Sequence, residues 1–446
     1  MIQPPARSMF PLFAAVGMLG ASPSVAADST LDLCPAALEK GNILTSDDWL
    51  LTPADFQTAY RLPESAKPRI EQMLVALKAR GVTVAMTVVP TRGVGSPNAD
   101  AVAASHGLNY TEAQAREVYQ QLLSWFEARG VITVDLATAF QEYTGDEPMF
   151  YARDHHWTQA AAELTAQQLA AAVSPRFPDL APASYTIELK KPEPRSWPGS
   201  RTTRMGQLCP DFEAPELTHP VYEAVRQDPP TLGLLDDQPA PEVVLVGTSN
   251  SSPDFTFPGY LQRELSTEVL VNYLGGAGPL TTLMEYLRSD AFIDAPPRLL
   301  IWEWNTAGCW VRREEAPEFV KETAWNQIIP SIWGPCDDPV LTGTTTVKAG
   351  ENTLIQAQPG AAAPSGDLYL HLGVSSPSLV AFEVIARQQG GVEQRIEVPY
   401  FGRLRYSGHV FLQLPTMASA IEELVLVAPE GVNADVNAQL CRVPAR

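Results

Sequence analysis

The sequence predicts an α/β domain, a mostly parallel sheet with helices on both faces, followed by a C-terminal all-β sandwich. Three observations predict it. Strand and helix patterns alternate from about residue 30 to 335, the rhythm of a parallel sheet with helical crossovers. After Cys336 the chain changes to short β-like runs separated by Gly, Pro and Ser, without helical periodicity. Between these, the apolar run Val243-Val244-Leu245-Val246 stops at Gly247-Thr248-Ser249. A buried strand that ends this way presents a hydroxyl at the carboxyl edge, where open α/β sheets bind ligands.

In chain order, Arg7 precedes an apolar stretch from Phe10 to Gly20, and Ser24-Val25-Ala26 fits the small-x-small cleavage pattern. Residues 1–26 are read as an export signal peptide, since about eleven apolar residues fall short of the roughly twenty that span a bilayer. Ile70, Met73, Leu74 and Leu77 share a helical face, Gly81 closes that helix, and 82–89 is a strand. Val118, Leu122, Trp125 and Phe126 mark the next helix, and 131–136 the next strand. Thr158 is placed to cap a helix over 159–172. Residues 174–240 are crowded with proline, yet their aromatic residues and Cys209 mark an insertion packed on the domain rather than a free tether. Strands at 243–246, 269–273 and 299–302 then alternate with helices at 259–265 and 280–288. The β-like runs lie at 344–347, 354–357, 368–372, 380–385, 395–398, 410–414 and 424–427, a spacing that suits a sandwich of about 100 residues. The expected division is 27–335 and 336–446.

The formal charge of −20 argues against nucleic acid and anionic membrane surfaces as partners. A polyanionic substrate would need a local cluster of Arg and Lys. None of the five cysteines sits in a CxxC pair, so a structural zinc site is not expected. Cys34, Cys209, Cys336 and Cys441 bracket the domains, which suggests Cys34–Cys209 and Cys336–Cys441 with Cys309 spare; the residues alone leave the pairing open.

Chemistry concentrates at Asp154-His155-His156-Trp157-Thr158 and Ser249. A serine hydroxyl becomes a nucleophile when an imidazole takes its proton and a carboxylate orients the imidazole. Asp154 and His156 supply both from one turn. His155 is the competing base, which period-two geometry sends to the other side, and Trp157 is expected under the imidazole. The bland reading is a set of polar residues closing a helix start. A metal site on Asp154 and both histidines lacks a fourth spaced ligand; neither metal nor cofactor is expected.

An oxyanion hole is expected from the Ser249 amide and from the turn Gly275-Gly276-Ala277-Gly278, which reads equally as a plain strand-to-helix connection. Arg92 follows the 82–89 strand and is expected on the same rim, facing a substrate carboxylate or bulk solvent. Tyr400, Phe401, Arg403, Arg405 and Tyr406 interleave rings with cations. That mix suits acidic sugars, as well as ordinary core and edge-strand positions.

Arg153-Asp154-His155-His156-Trp157-Thr158, Val246-Gly247-Thr248-Ser249 and Leu299-Leu300-Ile301-Trp302-Glu303 together resemble the AlgX/AlgJ group, exported SGNH-hydrolase-like proteins of alginate O-acetylation. The order, Asp-x-His before Ser, is that of the group, and the resemblance runs along nearly the whole chain. It implies an SGNH-hydrolase-like domain and a triad of Asp154, His156 and Ser249. It also implies the two disulfides and a C-terminal carbohydrate-binding module in which Arg403, Arg405 and Tyr406 touch polymer. The group's tyrosine near the serine has no match, because Asp254-Phe255 stands there.

The expected function is periplasmic transfer of acetyl groups to mannuronate hydroxyls of alginate or a similar anionic polysaccharide. An acetyl donor protein or carrier and other secretion-complex proteins are the expected partners. The alternatives are an exported carbohydrate esterase and a non-catalytic polymer-binding scaffold.

Overall fold

The computed structural model describes residues 32–58, 62–228, 240–306, 322–358 and 367–444; the expected signal peptide and Cys309 lie outside them. Five parallel strands form the central sheet in the order Val269–Tyr273, Val243–Gly247, Leu299–Asn305, Thr83–Val89, Ile132–Thr133. Val243–Gly247 is buried at every position, as its unbroken apolar run requires of a strand covered on both faces. Lys67–Ala79, Glu112–Glu127, Gln159–Val173, Phe257–Leu265, Pro279–Leu287 and Glu322–Trp333 are the main helices around it.

Two strands of the central sheet differ from the sequence pattern, and in the C-terminal part the expected runs 344–347 and 354–357 merge into Leu341–Gln356 while 424–427 extends to Ile421–Arg442. The 131–136 run keeps only Ile132–Thr133 as an edge strand, because Asp135 accepts the Thr138 amide and starts the helix Leu136–Glu142. Leu299–Asn305 runs three residues past Trp302, since Glu303 is fully buried with hydrogen-bond donors around its carboxylate.

The 174–240 region packs on the domain as two small antiparallel pairs and one helix. Tyr185–Leu189 pairs with Tyr222–Arg226, Arg195–Trp197 pairs with Leu217–His219, and Ser200–Leu208 is helical. Cys34 and Cys209 are bonded and join the helix Pro35–Glu39 to Ser200–Leu208.

The C-terminal part is a six-stranded antiparallel sheet built around Ile421–Arg442, which pairs along its length with Leu341–Gln356. The N-terminal half of Ile421–Arg442 also pairs with Phe382–Gln388, and the C-terminal half with Leu368–Val374. Register shifts at Lys348/Gly350 and Thr353/Ile355 bend this long antiparallel pair. Val347, Leu370, Val384, Leu424 and Val436, drawn from both halves, form one core, so the two layers are halves of a shared sheet.

Cys336–Cys441, with Tyr369, Phe411, Trp333 and Ile293 packed around it, joins this part to the α/β part. Tyr369 Oη donates to Gly334 O at 2.9 Å beside it. Among the described residues no helix is long and apolar enough to cross a membrane.

Candidate active site

Ser249 sits two residues beyond the carboxyl end of Val243–Gly247, in a single 3₁₀ turn, Ser249–Ser251. The turn is clamped from behind. Glu303, on the neighbouring strand, accepts the Thr248 amide at 2.7 Å, the Thr248 hydroxyl at 3.0 Å and the Ser251 hydroxyl at 2.9 Å. Burial pushes the Glu303 carboxyl up, and these bonds oppose that push. The clamp explains Gly247: a Cβ there would lie 2.0 Å from Ser251 Oγ and 2.7 Å from Glu303 Oε2.

The 149–158 loop arrives from the other side. Thr158 caps the helix Gln159–Val173 by accepting the Ala161 amide. An isolated bridge between Phe150 and Trp157 closes the loop. His156 Nε2 lies 2.8 Å from Ser249 Oγ, and His156 Nδ1 lies 2.5 Å from Asp154 Oδ1. Asp154 is 2 % exposed. Its Oδ1 also accepts the His156 amide, and its Oδ2 accepts the Ser200 amide at 2.6 Å and the Trp197 indole N–H at 3.2 Å. Burial alone would favour the neutral acid. The bonds from His156 and Ser200, with both imidazoles close by, instead hold the carboxyl well below the usual carboxylate range. Such an ionised, immobile carboxylate fixes the His156 ring with its other nitrogen toward the serine.

The surroundings differ in part from the sequence-based expectation. Phe255, not Trp157, lies against the imidazole, with ring centroids 4.6 Å apart and planes at 26°. Trp157 is fully buried and donates its indole N–H to Asn250 O at 3.2 Å, so it supports the Ser249 turn. His155 is not on the opposite side: the loop is a series of bends rather than extended, and the two imidazoles lie 3.9 Å apart. His155 Nδ1 faces Ser200 Oγ at 2.6 Å. Burial, then the neighbouring His156, pull its pKa down to about 4 against the pull of Asp154. Ligand atoms of Asp154, His155 and His156 lie within 4.8 Å of one another. Asp154 Oδ1 and both nitrogens of His156 are committed to the hydrogen bonds that link Ser249, His156 and Asp154, and Asp154 Oδ2 is committed to Ser200 and Trp197.

Arg92 is not on the rim. It is 2 % exposed, and its guanidinium donates to Leu50 O, Tyr151 O and Ala152 O at 2.8–2.9 Å. Burial lowers its pKa to about 10, with Asp55 at 3.7 Å opposing. Five donors on a rigid fork suit this role better than a solvent contact, because they tie together the carbonyls that lead into Asp154.

Gly275 is close to Ser249: a Cβ on it would sit 3.7 Å from Ser249 Cβ. Gly276 has φ +71° and meets Arg403 instead, where a Cβ would be 2.6 Å from Nη1. Arg403 donates to Gly275 O. Arg405 pairs with buried Glu285 through Nε at 2.7 Å and reaches Asn272 Oδ1 at 3.1 Å. Tyr406 Oη bonds Val374 O, with half its side chain exposed. The 403–406 loop therefore crosses from the β part to the rim beside Ser249. Glu303, Trp197, Ser200 and Phe255 were missed as site residues. Glu303 alone had a signal in the sequence, an acid at the end of an apolar strand run.

The family profile described as "SGNH hydrolase-like domain, acetyltransferase AlgX" matches residues 43–306, more than half of the chain. Alginate biosynthesis protein AlgX of Pseudomonas fluorescens is 26 % identical over 94 % of this chain and 88 % of its own length. Probable alginate O-acetylase AlgJ of the same species is 28 % identical over 59 % and 67 %. The solved structure of Pseudomonas aeruginosa AlgX has the same fold: TM-score 0.78, 22 % identity, 92 % of this chain and 100 % of that one covered. The chain belongs to the AlgX family of SGNH-hydrolase-like proteins.

Proposed function

We propose that this protein is an exported O-acetyltransferase that acetylates hydroxyls of alginate or a similar anionic polysaccharide. The observation that carries the reading is the alignment of Ser249 Oγ, His156 and Asp154 at 2.8 and 2.5 Å. Relatives named for alginate biosynthesis and alginate O-acetylation supply the substrate class.

In the first half-reaction Ser249 Oγ attacks the acetyl carbonyl of a donor protein or carrier while His156 Nε2 takes its proton. The tetrahedral oxyanion faces the amides of Ser249 and Gly275. Collapse breaks the acetyl–donor bond, and His156 returns the proton to the leaving group. In the second half a mannuronate hydroxyl loses its proton to His156 and attacks the acetyl ester on Ser249, and the serine leaves with that proton. Asp154 holds the imidazole in one tautomer throughout. The β part, residues 336–446, serves as a carbohydrate-binding module behind the 27–335 catalytic domain. Two disulfides fit an oxidising compartment such as the periplasm.

The test is mass spectrometry of the protein with an acetyl donor, with and without oligomannuronate. A gain of about 42 Da on Ser249 that is discharged as sugar ester supports the reading. Release as acetate alone makes it an esterase, and no adduct with unchanged acetylation by Ser249→Ala removes the triad mechanism.

A further inference from the structure

Between the two halves of the molecule lies a cavity of about 150 Å³ that the reaction does not use. Arg288, the residue that ends the helix Pro279–Leu287, lines it together with Gln327, Tyr400, Arg405, Tyr406 and His409. Arg288 is 5 % exposed, yet among the described residues its guanidinium has one side-chain partner, the neutral carbonyl oxygen of Gln327. That amide is oriented, since Gln327 Nε2 donates to Thr323 O at 3.0 Å. The Arg288 Nε–H is buried and, among the described residues, has no acceptor.

The acids nearby in the chain are committed elsewhere: Glu285, one turn earlier, to Arg405, and Asp290 to His409 at 3.0 Å. A buried cation without an anion is expensive, and native proteins keep such groups paired or ligated. Here the missing partner has a place to bind, because the cation lines an open cavity.

We propose that this cavity is a carboxylate subsite for one uronate unit of the polymer, with Arg288 as its specificity-determining cation. The guanidinium fork matches a planar carboxylate. At the mouth, Tyr400 and Tyr406 are 61 % and 51 % exposed, ring faces of the kind on which pyranose units stack. On a protein of charge −20 a buried, local positive site is what an anionic chain requires.

The site is separate from Ser249. It is connected to it through Arg405 on Glu285 and through Arg403 on Gly275, so a polymer held here is presented along the rim toward the nucleophile. The inference rests on the acetyltransferase reading for its ligand class.

Calorimetry on the full chain at physiological salt tests it, using a mannuronate hexamer and its carboxyl-reduced counterpart. The parent is expected to prefer the acidic hexamer, and Arg288→Met to weaken that hexamer by roughly tenfold or more while leaving the reduced one unchanged. Tyr400→Ala should weaken both, and Lys191→Met, outside the lining of the cavity, neither. Arg288→Met should also melt no lower than the parent, because it removes a buried charge that, among the described residues, has no anionic partner. Equal affinity of Arg288→Met and parent for the acidic hexamer overturns the proposal. If Arg288→Met does not fold, a parent that binds both hexamers equally overturns it. The Ser249 adduct, read on the same samples, separates this failure from failure of the acetyltransferase reading.

Discussion

Glu303 accepts the Thr248 amide at 2.7 Å from a side chain that is completely buried and, among the described residues, paired with no cation. A carboxylate in that position organises the strand end that carries Ser249. Replacing it with alanine leaves one amide and two hydroxyls without their acceptor. Glu303→Ala should lose about 3 kcal/mol in urea unfolding and acylate slowly. Glu303→Gln keeps an acceptor and should fold with a smaller loss. Parent-like stability of Glu303→Ala would show that the clamp is not needed.

Asp154→Asn keeps the size of the side chain but offers an amide where two oxygens now accept hydrogen bonds. Acetyl transfer should fall by about 10⁴, through loss of the oriented tautomer, with little change in fold. Single-turnover kinetics and circular dichroism on the same preparation check both halves of that statement.

Stability should fall as the medium is acidified from pH 6.5 to 4. Burial lowers the folded-state pKa of His155 to about 4, and of His371 likewise, at the interface where His371 Nε2 meets His409 Nδ1 at 3.0 Å. Both groups bind protons more readily in the unfolded chain, whose imidazoles titrate near 6.5, so lower pH favours unfolding across that window. Asp154, with a depressed folded pKa, adds a loss of the same sign only below about pH 4, where the unfolded carboxylate titrates. Melting temperature against pH should flatten between 6.5 and 4 in His371→Gln. An unchanged slope would assign the effect elsewhere.

Gly276→Ala combines a left-handed backbone with a Cβ driven into Arg403. Roughly 1–2 kcal/mol of backbone strain is expected, with displacement of the 403–406 loop from the rim. Thermal unfolding measures the first, and the rate of transfer to polymer, compared with acylation by a small donor, measures the second.

Opening Cys336–Cys441 releases a loop of 105 residues. In the chain-entropy picture Cys336→Ser with Cys441→Ser should cost about 4 kcal/mol. Denaturant midpoints of the oxidised parent and the double variant give the number.

The alternation of strands with helices, the strand end at Gly247-Thr248-Ser249 and the turn at 154–158 were legible because each is local: periodicity, β-branched runs and a cap residue act within a few positions. Those segments determined the α/β class, the β-rich C-terminal part and the three residues that meet. What packs around them was decided only in three dimensions. Phe255 against His156, Trp197 and Ser200 on Asp154, and Arg92 buried under the loop all join residues distant in sequence. No local pattern encodes such contacts, because burial and hydrogen-bond partners belong to the assembled core. Whether an arginine such as Arg92, Arg288 or Arg403 clamps a carbonyl, lines a cavity or links the β part to the α/β part depends on what the folded chain places around its guanidinium.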